Sequence, residues 1–247
     1  MTSALLTPRG RVRASGESTA AGSTAAGSTD PTPILDWHHP SLTALPQPLP
    51  ADDPLTALRR AHRWIAGAVR PVYSVRDERP VSEVLRRRRG SCSQRLAVLE
   101  AFARASGVAT RVRGLVVDGR YWYPRFPGLE RLVPDQVILA WPEFDLGTSW
   151  LTVSELFGDL NDLTSGAPFT NSGPETLFDA LSRTAIDWHG TTTCATGSAP
   201  CDLSAHVLTD LGHFTSRDEL FTHHGQTLCG LARLLAEPVL GRRSAGA

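Results

Sequence analysis

The hydrophobic pattern changes period along the chain. Between residues 53 and 107 apolar positions recur every three or four residues. Leu55, Leu58, Ile65 and Val69 line one face of a helix that starts at Asp53-Pro54 and stops at Pro71. Its start pairs a capping carboxylate with a proline at the first helical position, where no N–H is needed. A shorter helix is predicted over residues 81–88, ending at Gly90. The best-defined helix follows. Ser91 and Gln94 form an S-x-x-Q capping box, Leu96, Leu99 and Phe102 share a face, Val98 and Ala103 flank it, and Gly107 is the stop.

The period then falls to two. Val112 alternates with Arg111 and Arg113, and Leu115-Val116-Val117 is a short apolar run. Asp118-Gly119 is a strong hairpin signal, which predicts "RYWYPRF" as the returning strand. Pro134-Asp135 makes another turn, "QVILAW" (Gln136–Trp141) reads as a buried strand, and Trp150–Val153 as a fourth. Helical spacing returns over about 174–186, 203–211, 216–224 and 226–236, with a second capping box at Ser216 and Glu219. Helices, then a small antiparallel sheet, then helices define an α+β class. Residues 1–30 lack aromatics and periodicity and are expected to be disordered. Residues 31–50 are proline-rich, with Ile34, Leu35 and Trp37 the first candidates to dock on the body. The expected organisation is a leader over 1–50 and one catalytic domain over 51–247.

Composition narrows the function. Of 247 residues, 25 are acidic and 25 basic, and every basic one is arginine, a permanently charged planar guanidinium. Zero net charge argues against a general nucleic-acid binder. No apolar run reaches the roughly 18 residues of a membrane span. The arginines near the start are not followed by an apolar stretch, so no secretory signal is read and a cytoplasmic location is expected. The four cysteines lack zinc-ligand spacing, and Cys194 and Cys201, in a Gly/Ser/Thr-rich stretch, are expected to be free thiols. His206 and His213 do not have a usual ligand spacing and no H-E-x-x-H occurs, so neither metal nor cofactor is expected.

Cys92 is the one residue whose position suggests chemistry. The capping box places it in the first turn of its helix, where unpaired N–H groups and the helix dipole favour an anion. That environment lowers a thiol pKa, the thiolate is the nucleophile, and the same N–H groups could stabilise an oxyanion beside the sulfur. The plain alternative is a small buried residue at a helix start.

Residues 90–117, which open "GSCSQRLAVLEAFARASGVATRV", resemble the core motif of the transglutaminase-like superfamily of papain-like thiol enzymes: Gly-x-Cys, a helix, then a strand. "LAWPEF" (Leu139–Phe144) is similar to the H-A-W-x-E element of that family, and "WLTVS" (Trp150–Ser154) to its W-x-x-x-D. The resemblance covers roughly residues 80–156. Two departures stand out: Leu139 occupies the place of the family's histidine and Ser154 that of its aspartate. Leucine cannot accept a proton and serine cannot orient an imidazole. The resemblance therefore implies either a domain without catalysis or a base drawn from elsewhere. One group with the second arrangement is the Dieckmann cyclases of tetramate and pyridone polyketide–peptide pathways, with a Cys, Asp, His order along the chain. By that resemblance Cys92 would be the nucleophile, Asp118 the orienting carboxylate and His224 the base, with His206 the next choice and His213 and His223 also open. Asp118 is equally accounted for as the first residue of a turn. His224 sits at a predicted helix end before Gly225, which favours an imidazolium. His38, His39 and His62 read as surface or packing groups.

The resemblance also implies a partner, an acyl or peptidyl carrier protein bearing a phosphopantetheine-linked substrate. Arg86–Arg89, just before Cys92, could steer and dock it, or could simply be a solvated charge cluster. Tyr121, Tyr123 and Trp141 are the candidate substrate-binding residues, as an apolar tunnel wall, with core packing the alternative. A hydrolase or acyltransferase of the same fold and a non-catalytic binding module remain alternatives, and substrate, ring type and oligomeric state are open.

Overall fold

The computed structural model describes residues 25–43, 53–157, 169, 171–172, 175–181, 203–228 and 230–245. Residues 1–24, His189, Cys194, Cys201, Cys229 and positions 174 and 182–186 of the helix expected over 174–186 lie outside them, and the described part of that stretch, 175–181, is turn and not α-helix. Helices α1 (Pro40–Thr43), α2 (Pro54–Ala68), α3 (Val81–Arg87) and α4 (Cys92–Ala105) precede most of an antiparallel sheet. Its strands are β3 (Thr110–Asp118), β4 (Gln136–Asp145), β5 (Trp150–Thr152) and β6 (Val207–Phe214), in the spatial order β5-β4-β3-β6. Two short strands, β1 (Arg70–Pro71) and β2 (Arg89–Gly90), pair in parallel, and α5 (Arg217–His224) and α6 (Gly230–Leu240) follow β6. The arrangement is α+β.

The capping signals form as the sequence implies. Asp53 accepts from the N–H groups of Leu55 and Thr56 at 3.3 and 2.9 Å. Ser91 and Gln94 complete both halves of their box: the Gln94 N–H reaches the Ser91 hydroxyl at 3.3 Å, and the Ser91 N–H reaches the Gln94 Oε1 at 3.0 Å. Ser216 caps α5 through the Glu219 N–H at 3.1 Å. The Glu219 carboxylate bonds Thr215 instead, which ties the end of β6 to the helix.

Three expectations are corrected. Asp118-Gly119 makes no hairpin. Asp118 caps a 3-10 helix over Gly119–Arg125, and β3 pairs with β4, with Asp118 opposite Gln136. Glycine is required at 119 because a Cβ there would collide with the Pro134 carbonyl oxygen, while the Gly119 N–H bonds the Asp135 carbonyl at 2.9 Å. The stretch expected to be helical over 203–211 is mostly strand β6. Its residues pair with β3 along the edge opposite β4, and Gly212, at φ 84°, takes a backbone conformation that a helix cannot include. The last helix is shifted to Gly230–Leu240. Ile34 and Leu35 of the proline-rich segment are buried in the core, and Ser28, in the stretch expected to be disordered, bridges to Thr110 at the start of β3.

Helix α4 is central. It packs against α2, α3, β3 and β4, and every residue from Gln94 to Arg104 is buried. Four of those are polar, and each reaches a different segment. Gln94 bonds the Arg76 carbonyl at 2.8 Å, and Arg95 bonds Thr176 and Asp179, both at 3.1 Å. Arg104 bonds the Asp30 carbonyl at 2.6 Å and the Thr215 carbonyl at 2.7 Å. Glu100 pairs with Arg217 of α5 at 2.5 Å, and both side chains are fully buried. Burial raises the Glu100 carboxyl pKa, and the Arg217 guanidinium opposes that.

Removing one partner of this pair strands a charge in the core. Arg217→Met is expected to lower stability by about 3–5 kcal/mol in urea unfolding. The double variant Glu100→Gln with Arg217→Met, which buries no charge, is expected to recover most of that loss. A single-variant loss below about 1 kcal/mol would contradict a buried, mutually dependent pair.

Candidate active site

Cys92 is the first residue of α4, and the capping box fixes the backbone on both sides of it. Upstream, the Val72 N–H bonds the Gly90 carbonyl at 3.1 Å and the Arg70 N–H bonds the Arg88 carbonyl at 3.0 Å, so β1 holds the approach to the cysteine. The side chain is partly accessible because it opens into a cavity of about 520 Å³. The walls come from four places. Tyr73 and Val75 stand on the loop before α3, Trp122, Phe126, Leu129 and Leu132 on the segment between β3 and β4, Ile138 and Leu139 on β4, and Leu235, Val239 and Leu240 on α6. The volume falls within the range of small-molecule sites. Leu129, Leu132, Leu235 and Val239 are 41–71% exposed, so the rim of the cavity is apolar as well as its interior.

The thiol is not the activated group that its helix position suggests. Burial pushes its pKa from the ordinary 9.0 up to about 12, against the charges of Arg95 and Arg217, which pull it down, while Asp179 and Asp77 push it further up. Loss of water outweighs the helix N-terminus here.

Asp118 and His224 do not line this cavity. Asp118 is turned to Arg120, accepting from its N–H at 2.9 Å and its Nε at 2.7 Å, and that bond holds its carboxyl below the usual range. His224 is exposed at the end of α5 with its ring edge-on to Phe214. Lost solvation on that side and the neighbouring His223 lower its pKa, which works against an imidazolium. His206 lies nearer to Asp118: Val117 pairs with Val207, and the His206 charge bears on the Asp118 carboxyl. A layer of aromatic rings, His206 on Tyr121 and Tyr121 on Trp122, separates that pair from the cavity. His213 bonds Glu143 at 3.2 Å, and His62 is buried between Phe157 and Phe178 with its Nε2 2.7 Å from the Phe178 carbonyl. Among the described residues no histidine lines the cavity.

Tyr121, Tyr123 and Trp141 do not line it either. In a strand, 121 and 123 would share a face. In the 3-10 helix that forms, side chains three apart eclipse, so Trp122 and Arg125 share the cavity side. Trp141 is fully buried in the core. Sequence reading missed Asp77, the one carboxylate among the described lining residues. Its turn, "VRDERP", carries no local signal of a site.

Residues 43–154 match the family model of the transglutaminase-like superfamily. That stretch is similar to the superfamily, whose members are usually cysteine-dependent enzymes. The match spans α1 to the turn after β5 and includes Cys92, Leu139 and Ser154. No curated protein and no solved structure matches the chain. Among the described residues no group of three or more His, Cys, Asp and Glu side chains is placed to hold a metal ion, and no helix is long and apolar enough to cross a membrane.

A thiol held at about 12 is almost wholly protonated at neutral pH, and its reactive fraction keeps rising with pH where an ordinary cysteine has levelled off. Iodoacetamide should therefore label Cys92 slowly at pH 7, with a rate that still climbs above pH 10. Leu139→His, which places an imidazole in the cavity, is expected to raise the pH 7 rate about tenfold or more. Mass spectrometry of the Cys92 peptide follows both. A rate that levels off near pH 9 would contradict an enclosed thiol.

Proposed function

We propose that Cys92 accepts an apolar acyl chain from the thioester of an acyl or peptidyl carrier protein, and that the chain leaves as a tetramate-type or pyridone ring by Dieckmann closure. The observation that carries this reading is a cysteine at a capped helix N-terminus opening on an apolar cavity large enough for a small-molecule chain. In the first step the Cys92 sulfur bonds the acyl carbon, the carbon–sulfur bond to the carrier breaks, and the thiol proton goes to the departing sulfur. In the second, the carbon between the two carbonyls loses its proton and attacks the Cys92 thioester. A carbon–carbon bond forms, the carbon–sulfur bond breaks, and the thiol is regenerated.

Two further features support it. With Leu139 in the cavity and no described histidine beside it, water has no imidazole to activate it, which protects an acyl-cysteine from hydrolysis. The arginines also converge. Partial burial and then the charges of Arg87, Arg70, Arg242 and Arg79 lower the Arg89 pKa, so guanidiniums from separate segments crowd together. Pro71, Val72 and Arg243, their chain neighbours, line the cavity. With Arg79 paired to Glu237 and Arg87 to Glu83, the positive charge at that place comes from Arg70, Arg89 and Arg242, and it suits an acidic carrier and its phosphodiester. Leu139 and the raised thiol pKa also favour a second reading, a non-catalytic module that binds an acyl chain in the same cavity.

Incubation with a carrier-bound β-ketoacyl-aminoacyl thioester is expected to give an acyl adduct on Cys92, seen by intact mass, and then the ring with little free acid. Arg87→Gln with Arg89→Gln is expected to slow the carrier-bound substrate more than a small soluble thioester, and the difference should shrink at high salt. Free acid as the main product would replace the cyclase by a thioesterase. Tight binding of the chain with no adduct would establish the binding module.

A further inference from the structure

The second step needs a group to carry a proton from carbon to sulfur, and the Cys92 cavity contains one candidate that neither the motif nor the family match assigns. We propose that Asp77 is that group, a proton-transfer residue facing the substrate in the same cavity as Cys92. The inference rests on the ring-closing reading above.

Asp77 is 9% exposed and is the one carboxylate among the described residues that line the cavity. Its place is fixed relative to Cys92 by a shared strut. The Gln94 side chain that caps α4 through its Oε1 also donates from Nε2 to the Arg76 carbonyl at 2.8 Å and to the Ser74 hydroxyl at 3.0 Å. Glu237 of α6 holds the same loop, accepting from the Val75 N–H at 3.1 Å, from the Ser74 hydroxyl at 2.8 Å and from Arg79 at 2.6 Å. The loop carrying Asp77 and the helix carrying Cys92 therefore move as one body.

The proton balance closes without an external base. The Asp77 carboxylate takes the proton from the carbon flanked by two carbonyls. That carbon attacks the thioester carbonyl, the carbon–sulfur bond breaks, and the protonated Asp77 gives its proton to the departing Cys92 sulfur. Burial makes that sulfur a strong proton acceptor, so it leaves as a neutral thiol. Asp77 plays no part in thioester exchange, where the thiol proton passes directly to the carrier's sulfur. Loading and ring closure therefore depend on it differently.

The test uses the full chain and a synthetic β-ketoacyl-aminoacyl pantetheine thioester. Intact mass reads the acyl adduct on Cys92, and liquid chromatography with mass detection reads the ring. Asp77→Asn is expected to load Cys92 within about threefold of wild type and to close the ring about 10²–10⁴-fold more slowly, the usual worth of general acid–base help. Its acyl adduct should also stop exchanging the acidic carbon's hydrogen with heavy water. Asp77→Glu, which keeps the carboxylate, is expected to recover at least about tenfold over the asparagine variant, separating chemistry from a disturbed loop. Ring closure at the wild-type rate in Asp77→Asn overturns the proposal, as does ring closure lost in His206→Ala or His224→Ala but kept in Asp77→Asn. If wild type itself never loads Cys92, the ring-closing reading fails and the role of Asp77 fails with it.

Discussion

The structure depends on one helix that has no solvent-facing side. A helix buried all round would ordinarily be apolar throughout. Helix α4 instead carries Gln94, Arg95, Glu100 and Arg104, each fully or nearly fully buried. Unpaired, each would cost several kcal/mol. Each is matched by a segment distant in sequence: Gln94 by the loop before α3, Arg95 by Thr176 and Asp179, Glu100 by Arg217, and Arg104 by Asp30 and Thr215. The Arg217 pair reaches furthest, because that guanidinium also donates to Ser93 at 3.1 Å and to the Ala140 carbonyl at 3.4 Å. It joins the first turn of α4, its middle, α5 and β4. The position of Cys92 against Leu139 is thus set by the polar residues of the core.

Two physical effects compete at that cysteine, and magnitude decides between them. A helix N-terminus favours an anion by about 0.3–1 kcal/mol, and up to about 2 in partly buried sites. A rise from 9.0 to about 12 corresponds to about 4 kcal/mol against the thiolate. Burial wins even with Arg95 and Arg217 close by. Sequence position can reveal a helix start, but the walls around the sulfur come from residues 73–75, 122–139 and 235–240, and no local pattern reveals that enclosure.

The same distinction separates what the sequence made legible from what it did not. Asp53, Ser91 and Ser216 cap their helices because a cap is a local bond, within three residues. The strands β3, β4 and β5 follow from alternation and turn residues. Asp118-Gly119 misleads because two distant demands produce the same dipeptide: a capping carboxylate, and a glycine pressed on the Pro134 carbonyl. The error carries into the site, since a strand period selects Tyr121 and Tyr123 where the 3-10 period selects Trp122. Strand β6 was hidden because "VLTDLGHF" has too few β-branched residues to outweigh helical spacing, and its pairing with β3 is a tertiary contact. Asp77 was invisible for the same reason, being brought to Cys92 by Gln94 and Glu237.

What the cavity contains also limits the substrates a thiol there can process. Exchange of one thioester for another swaps sulfur for sulfur, and the thiol proton passes to the leaving sulfur, so no net acid is needed. Cleavage of an amide is different. The departing nitrogen is a poor leaving group until it is protonated, and thiol enzymes that cleave amides supply that proton from an imidazolium beside the sulfur. Leu139 falls in the stretch that resembles the superfamily's histidine element, and the described lining offers a carboxylate and no imidazole. An ionised carboxylate has no proton to give a departing amine, but it can accept one from a carbon acidified by two carbonyls. Under the ring-closing proposal, leucine in that place disfavours amides and leaves thioesters with an acidic carbon as the substrates these groups could serve. On the same proposal the apolar walls would keep out the water that competes for an acyl group on Cys92.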